Sequence, residues 1–326
     1  MKITIGQNEK DQRLDRFLRK WLKDVPLASV FKVIRLGDVK INGKRIKDSS
    51  YMLQIGEEVE IFGIDKFINK SKDEEKNLPF IMVEHGFLKV HYEDKNILLV
   101  EKWHGVLVHS DKESPEPTLN DYVLSYLFDK GDYNPKDEIS FIPSSCNRLD
   151  RNTQGMVLYG KNNPSMKELN AMVRDGRIEK YYIALISSRI RDGVYKAYIL
   201  KDKDKNISKV IEKQVPESKE ISMEVKTLES CGIYSLIEIK LITGRSHQIR
   251  AHLNKIGNYI IGDSKYGDKK INNFFINKYD LNYQFLYAYK YIFKDPSNEL
   301  AYLKNKVVTA SLPPIFKKIK TDVFKF

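Results

Sequence analysis

Cys146-Asn147-Arg148-Leu149-Asp150-Arg151-Asn152-Thr153-Gln154-Gly155 sets one carboxylate between two guanidinium side chains. Before it, Ile139-Ser140-Phe141-Ile142 predicts a short strand closed by Pro143; after it, Gly155-Met156-Val157-Leu158-Tyr159 predicts a buried strand closed by Gly160. Asp150 therefore falls on a loop between strands, where a rigid scaffold presents functional groups. Flanking arginines favour an ionised carboxylate and can also contact phosphate. Taken alone, an Arg-x-Asp-Arg string is an ordinary surface ion pair, so its meaning depends on the rest of the chain.

Around this loop, strand-like runs dominate from Phe87 onward. Leu88 to Tyr92, Ile97 to Val100, Met156 to Tyr159, Tyr182 to Ile186, Met223 to Lys226 and Ser235 to Ile242 are the strongest, and helical patterns intervene at Thr118 to Phe128 and Ser165 to Arg174. Many strands and few helices predict an α+β domain on a mixed, largely antiparallel sheet. The segment from 193 to 222 is lysine-rich and poorly periodic, and no element is expected there.

Two further segments belong beside Asp150. In Thr243-Gly-Arg-Ser-His-Gln-Ile-Arg250 a strand ends at Gly244 and a short helix begins near Ser246, with Ile249, Leu253 and Ile256 inward and Gly257 ending it. Arg245 and Arg250 are then candidates to face a cleft. In Glu179-Lys180-Tyr181-Tyr182 a cation and aromatics open a strand; alternation points the two tyrosines to opposite faces, which leaves one phenol to stack on a base.

The first 65 residues predict a small unit of their own. Leu14, Phe17, Leu18, Trp21 and Leu22 form one apolar helical stripe opposite Arg13, Arg16, Arg19, Lys20 and Lys23. Pro26 is expected to end that helix, and Ser29 to cap a second that stops at Gly37. Val39 to Ile41 and Lys44 to Ile46 flank Asn42-Gly43, which suits a type I′ hairpin, and a strand from Glu58 to Phe62 follows. Lys32, Arg35, Lys40, Lys44 and Arg45 cluster as a basic platform suited to RNA, or equally as the solvated charged face of a small adaptor domain. Residues 66–85 read as a charged linker, and 86–326 as the larger domain.

The 326 residues are 41% apolar, enough for real cores. Lys and Arg exceed Asp and Glu by twelve, which favours a polyanionic partner. No apolar run has signal-peptide or membrane-spanning length, so a cytoplasmic protein without a membrane partner is expected. Cys146 and Cys231 are too few for a disulfide framework. His247 and His252 stand five apart, as do His104 and His109 in an expected strand; neither interval suits a metal pair, and no metal is expected. Walker A, Rossmann and nucleophile-elbow patterns are missing from the sequence.

Asn147-Arg-Leu-Asp-Arg-Asn-Thr-Gln-Gly155 resembles the H-R-L-D-R-x-T-S-G signature of the RluA/RluC/RluD-type ribosomal large-subunit pseudouridine synthases. Lys180-Tyr-Tyr-Ile-Ala-Leu185 is similar to that family's K-x-Y-x-A-L segment, and Thr243 to Arg250 to its T-G-R-T-H-Q-I-R segment. Tyr92 to Lys102, Ile260-Ile-Gly-Asp263 and Ala310-Ser-Leu-Pro313 add further likeness, so the resemblance spans 88 to about 315. Residues 1–65 resemble the S-four-type RNA-binding domain that many of these enzymes carry. Two departures stand out: Asn147 replaces the family's His, and Tyr287 the His of its L-H-A.

The resemblance implies isomerisation of uridine in RNA to pseudouridine, with large-subunit ribosomal RNA as the expected substrate ahead of transfer RNA, and no cofactor; a monomer is expected. It implies that Asp150 is the catalytic residue, as nucleophile or base, that Tyr182 stacks on the uracil and takes the carbon-5 proton, and that Arg250 pairs with Asp150. Arg148 would fill the place of the flipped nucleotide, and Arg151, Thr153, Lys180, Arg245 and His247 would bind substrate.

Overall fold

The computed structural model describes residues 1–22, 25–64, 78–111, 115–202 and 207–325. Lys23 and positions 66–77 of the expected linker lie outside the described residues. Two compact units make up the chain: Met1–His85 with Asp121–Ser144 and Gly160–Lys167, and Gly86–Asn120 with Ser145–Tyr159 and Glu168–Phe326.

The first unit begins with β1 (Lys2–Thr4), α1 (Leu14–Trp21), α2 (Leu27–Leu36), β2 (Val39–Ile41), β3 (Lys44–Arg45) and β4 (Glu58–Ile61). The strands form one sheet in the order β1-β4-β2-β3. The apolar stripe of α1 is buried as its spacing demands: Leu14, Phe17 and Leu18 pack with Val30, Val33 and Ile34 of α2 against Val39, Ile41, Val59 and Ile61 of the sheet. Pro26 does not end α1, which stops at Trp21; it opens α2, and Ser29 lies inside that helix instead of capping it. A proline lacks the N–H that a helix entry would leave unpaired, and its carbonyl accepts from Ser29 and Val30 at 2.8 and 3.2 Å. Asn42 and Gly43 both have positive φ, 50° and 78°, as a type I′ hairpin requires.

The chain continues through β5 (Val90–Glu93), β6 (Ile97–Lys102), α3 (Leu119–Asp129), β7 (Ser144–Ser145), β8 (Gln154–Gly160), α4 (Asn163–Arg174), β9 (Ile178–Ser187), β10 (Gly193–Asp202), β11 (Ile207–Ile211), β12 (Lys219–Cys231) and β13 (Tyr234–Leu241). Then come α5 (Gln248–Lys255), β14 (Tyr259–Ile260), α6 (Lys269–Tyr279), β15 (Leu286–Phe293), β16 (Val307–Thr309) and α7 (Pro314–Phe324). Twelve strands share one sheet in the order β11-β10-β12-β13-β9-β15-β8-β6-β5, with β14 on β9, β16 on β15 and β7 on β8. Its main core gathers Leu169 and Met172 of α4, Phe275 and Tyr279 of α6, and Phe316 and Ile319 of α7 over strand residues such as Leu99, Leu158 and Leu185.

Three further expectations need correction. Ile139 to Ile142 is not a strand; the pairing falls on Ser144–Ser145, and Ile139 instead packs on the α1–α2 core. The segment from 193 to 222 is ordered as β10, β11 and the start of β12, with a small core of Ile199, Val210, Ile221, Ala251 and Tyr266. His104 and His109 lie in turns between β6 and α3, not in a strand.

Register places the site. β15 pairs parallel with β8 and antiparallel with β9, so Gly155, Ala288 and Tyr182 stand in one row across three strands. The loop bearing Asp150 enters β8 at the row that crosses β15 to Tyr182 in the middle of β9, and β13, on the other flank of β9, delivers the turn into α5.

Candidate active site

A cavity of about 270 Å³ opens where these segments meet, lined by the 146–150 loop, Thr153, Lys180, Tyr182 and the turn Gly244 to Arg250. Arg250 projects from α5 and is 6% exposed. Its Nη1 donates to Asp150 Oδ2 at 2.8 Å, while Nε and Nη2 donate to Asp263 Oδ2 and Oδ1 at 2.7 and 2.9 Å. Burial opposes the guanidinium charge, but the two carboxylates more than offset it and raise its pKa. Asp263 Oδ1 also accepts from the Lys265 and Tyr266 amides, which fixes the carboxylate that fixes Arg250.

The loop is held from behind. Thr153 N–H donates to the Asp150 carbonyl at 3.0 Å, and Gln284 donates to the Thr153 hydroxyl at 2.9 Å. Lys102, fully buried at the end of β6, donates to the carbonyls of Trp103, Val106 and Arg151 at 2.8–2.9 Å. Burial lowers its pKa to about 7 against the pull of Asp150. Three carbonyl acceptors match the three N–H groups of an ammonium, so the geometry favours the charged form.

Tyr182 is the inward phenol: it is 5% exposed and lines the cavity, whereas Tyr181 donates to Glu179 away from it. Burial, and then Asp150, raise its pKa, so the phenol stays neutral. His247 sits with Nε2 4.0 Å from Asp150 Oδ2; burial lowers its pKa although Asp150 draws it upward. Lys180 is likewise lowered by burial. Arg148 and Arg245 are exposed at the cavity rim. Arg151 lies outside the lining, with Nη2 3.7 Å from Asp111, and contributes its carbonyl to the Lys102 clasp. Asn147 accepts from the Leu158 amide and donates to the Tyr291 hydroxyl, so it ties the loop to β8 and β15.

The helix begins at Gln248, two residues beyond the expected start, because His247 takes the left-handed conformation at φ 54° before it. Sequence reasoning gave no role to Lys102, Asp263 or Tyr266. A lysine ending an apolar strand was the available signal for the first.

In the first unit Lys32, Arg35, Lys44 and Arg45 are exposed, while Lys40 is half-buried with Nζ 4.7 Å from the centre of the Phe62 ring. Lys32 and Arg35 share a shallow depression with Lys47, which the sequence reading left out. Among the described residues no helix is long and apolar enough to cross a membrane.

Against known proteins, the family model described as RNA pseudouridylate synthase matches residues 96–255, and that of the S4 domain matches 12–59. An uncharacterized RNA pseudouridine synthase of Mycoplasma capricolum subsp. capricolum is 35% identical over 314 residues, covering 94% of this chain and 96% of the relative. The ribosomal large subunit pseudouridine synthase C of Buchnera aphidicola subsp. Baizongia pistaciae is 31% identical over 320 residues, 97% and 95% of the two chains. Among solved structures, human RNA pseudouridylate synthase domain containing 4 shares the fold at a TM-score of 0.55 and 20% identity, over 70% of this chain and 90% of that one.

Proposed function

The chain belongs to the RNA pseudouridylate synthase family and carries an S4 domain, and from that premise we propose that it isomerises particular uridines of large-subunit ribosomal RNA with Asp150 as the catalytic residue. The coarser activity, an isomerase acting on RNA, follows from family membership. The observation that supports the finer reading is the carboxylate of Asp150 facing a cavity while Arg250, locked by Asp263, holds one of its oxygens. A carboxylate oriented in advance loses little on reorganisation when it meets the sugar.

In this reading the target uridine flips out of its stack, at a cost of a few kcal/mol, and Arg148 at the rim takes the vacated place. Asp150 acts on the sugar, as nucleophile or as general base; the C1′–N1 bond breaks, the freed uracil turns, the C1′–C5 bond forms, the carbon-5 proton leaves, and N1 ends protonated. Tyr182 offers a ring face to the uracil; its raised pKa keeps the phenol neutral, which makes stacking, and not uptake of the carbon-5 proton, the role its surroundings favour. Lys180, Arg245 and His247 meet the nucleotide from the far wall, and Arg151 and Thr153 serve it by closing the loop. Lys32, Arg35, Lys40, Lys44 and Arg45 hold RNA on the first 65 residues, 86–326 carry the catalysis, and a monomer acting in the cytoplasm without cofactor or metal suffices. The comparison that tests the substrate is pseudouridine mapping of ribosomal and transfer RNA from a deletion strain. Loss of defined sites in the large-subunit RNA is expected; loss confined to transfer RNA would refute the substrate assignment.

A further inference from the structure

Tyr266 is 8% exposed behind the cavity wall, and its hydroxyl has two partners among the described residues. The Ser208 amide of β11 donates to it at 2.7 Å, and His247 Nδ1 stands 3.0 Å away. An amide N–H only donates, so the phenol oxygen is the acceptor in the first contact. The buried hydroxyl proton then needs an acceptor of its own, and His247 Nδ1 is the one in reach. A neutral imidazole that accepts at Nδ1 carries its proton on Nε2. Nε2 is the ring atom turned toward the catalytic pocket, 4.0 Å from Asp150 Oδ2.

We infer that the Tyr266 hydroxyl is a positioning group: it holds His247 as the Nε2–H tautomer, so that His247 donates a hydrogen bond to an oxygen of the target nucleotide lodged beside Asp150. This deepens the reading of the site proposed above and rests on it for the nucleotide. β11 grips the same turn a second time, because the Ser208 hydroxyl donates to the Ser246 carbonyl at 2.9 Å. That double hold offsets the left-handed backbone of His247, a conformation non-glycine residues seldom adopt. Burial, with Arg250 and Lys265 nearby, keeps the imidazole neutral against the pull of Asp150 and Asp263. Arg250 meanwhile covers the Tyr266 ring at 5.1 Å, so ring and hydroxyl act separately.

Tyr266→Phe keeps the ring and deletes the hydroxyl. Nitrogen-15 NMR of the full-length free protein at pH 8 should show the Nε2–H tautomer for His247, and the Phe variant should populate both tautomers. In single-turnover kinetics Tyr266→Phe should lower the rate at saturating RNA roughly tenfold with RNA affinity unchanged. His247→Ala should do at least the same, and the double variant should be no slower than His247→Ala. An Nδ1–H tautomer in the unaltered protein, or a double variant slowed by the product of the two single effects, overturns the inference. If the unaltered protein formed no pseudouridine, the reading of the site would fail, while the NMR arm would still decide the tautomer.

Discussion

Arg250 carries the charge balance of the site, because its three donated hydrogen bonds serve two carboxylates at once. The planar fork meets Asp263 with two N–H groups and still reaches Asp150; a lysine, as a point charge on a flexible stem, cannot do both. Arg250→Lys is therefore expected to fold but to lose about a hundredfold in single-turnover rate, the scale of a misplaced catalytic group. Arg250→Met should cost about 3–5 kcal/mol of stability, since the fully buried Asp263 side chain would lose its partner. Urea midpoints check the second expectation; a Met variant as stable as the parent would mean that Asp263 is held by its amide donors alone. Asp150 and Arg250 were legible together in the sequence because both stand in recognisable segments. Asp263 was legible only as part of a turn: an acid after glycine says nothing about a guanidinium thirteen residues back until the chain is folded.

β8 depends on a close approach that only glycine permits. Gly155 has φ 124°, and a Cβ there would lie 2.4 Å from both the amide nitrogen and the carbonyl oxygen of Ala288 on β15. Gly155→Ala must push β8 away from β15, at a cost of about 1–3 kcal/mol or more, and tilt the Asp150 loop with it. Thermal unfolding and the single-turnover rate should fall together; a variant with a normal melting temperature would contradict this register. Strands buried on the main core were readable because continuous apolar runs such as Met156 to Tyr159 leave little choice. β10 and β11 were not. They lie at the sheet edge over a small satellite core, so Ile199 and Val210 are buried while Val194 is 55% exposed and lysines interrupt the alternation. Ile139 to Ile142 misled for the opposite reason: Phe141 is buried and Ser140 bonds to Glu9, but that burial comes from loop packing and not from strand pairing.

For the whole molecule, the net charge of +12 becomes a binding statement only where lysines and arginines share a surface. Exchanging Lys32, Arg35, Lys44 and Arg45 for Gln should flatten the log–log salt dependence of RNA affinity by about 0.7–0.9 per lost phosphate contact; an unchanged slope would remove these four from the interface. Substitution is a cleaner test than deletion of residues 1–65, because Asn8 donates to Glu138 and Gln12 to Ser140 within the same unit. Stability should also depend on pH. Burial lowers the pKa of His247 and His252 in the folded chain, so between their folded values and the ordinary 6.5 the unfolded chain binds more protons. Their contribution is complete above 6.5 and is lost as pH falls through the folded values, so the urea midpoint should be lower at pH 5.5 than at pH 7.5; equal midpoints would mean that these histidines are solvated. The central claim, that this chain turns uridine into pseudouridine through Asp150, is tested most directly by tritium release from large-subunit RNA labelled at uridine carbon-5. The unaltered protein should release tritium with a chelator present, and Asp150→Asn, equally folded and equally bound to RNA, should release none; release by the Asn variant at more than a trace would contradict the account.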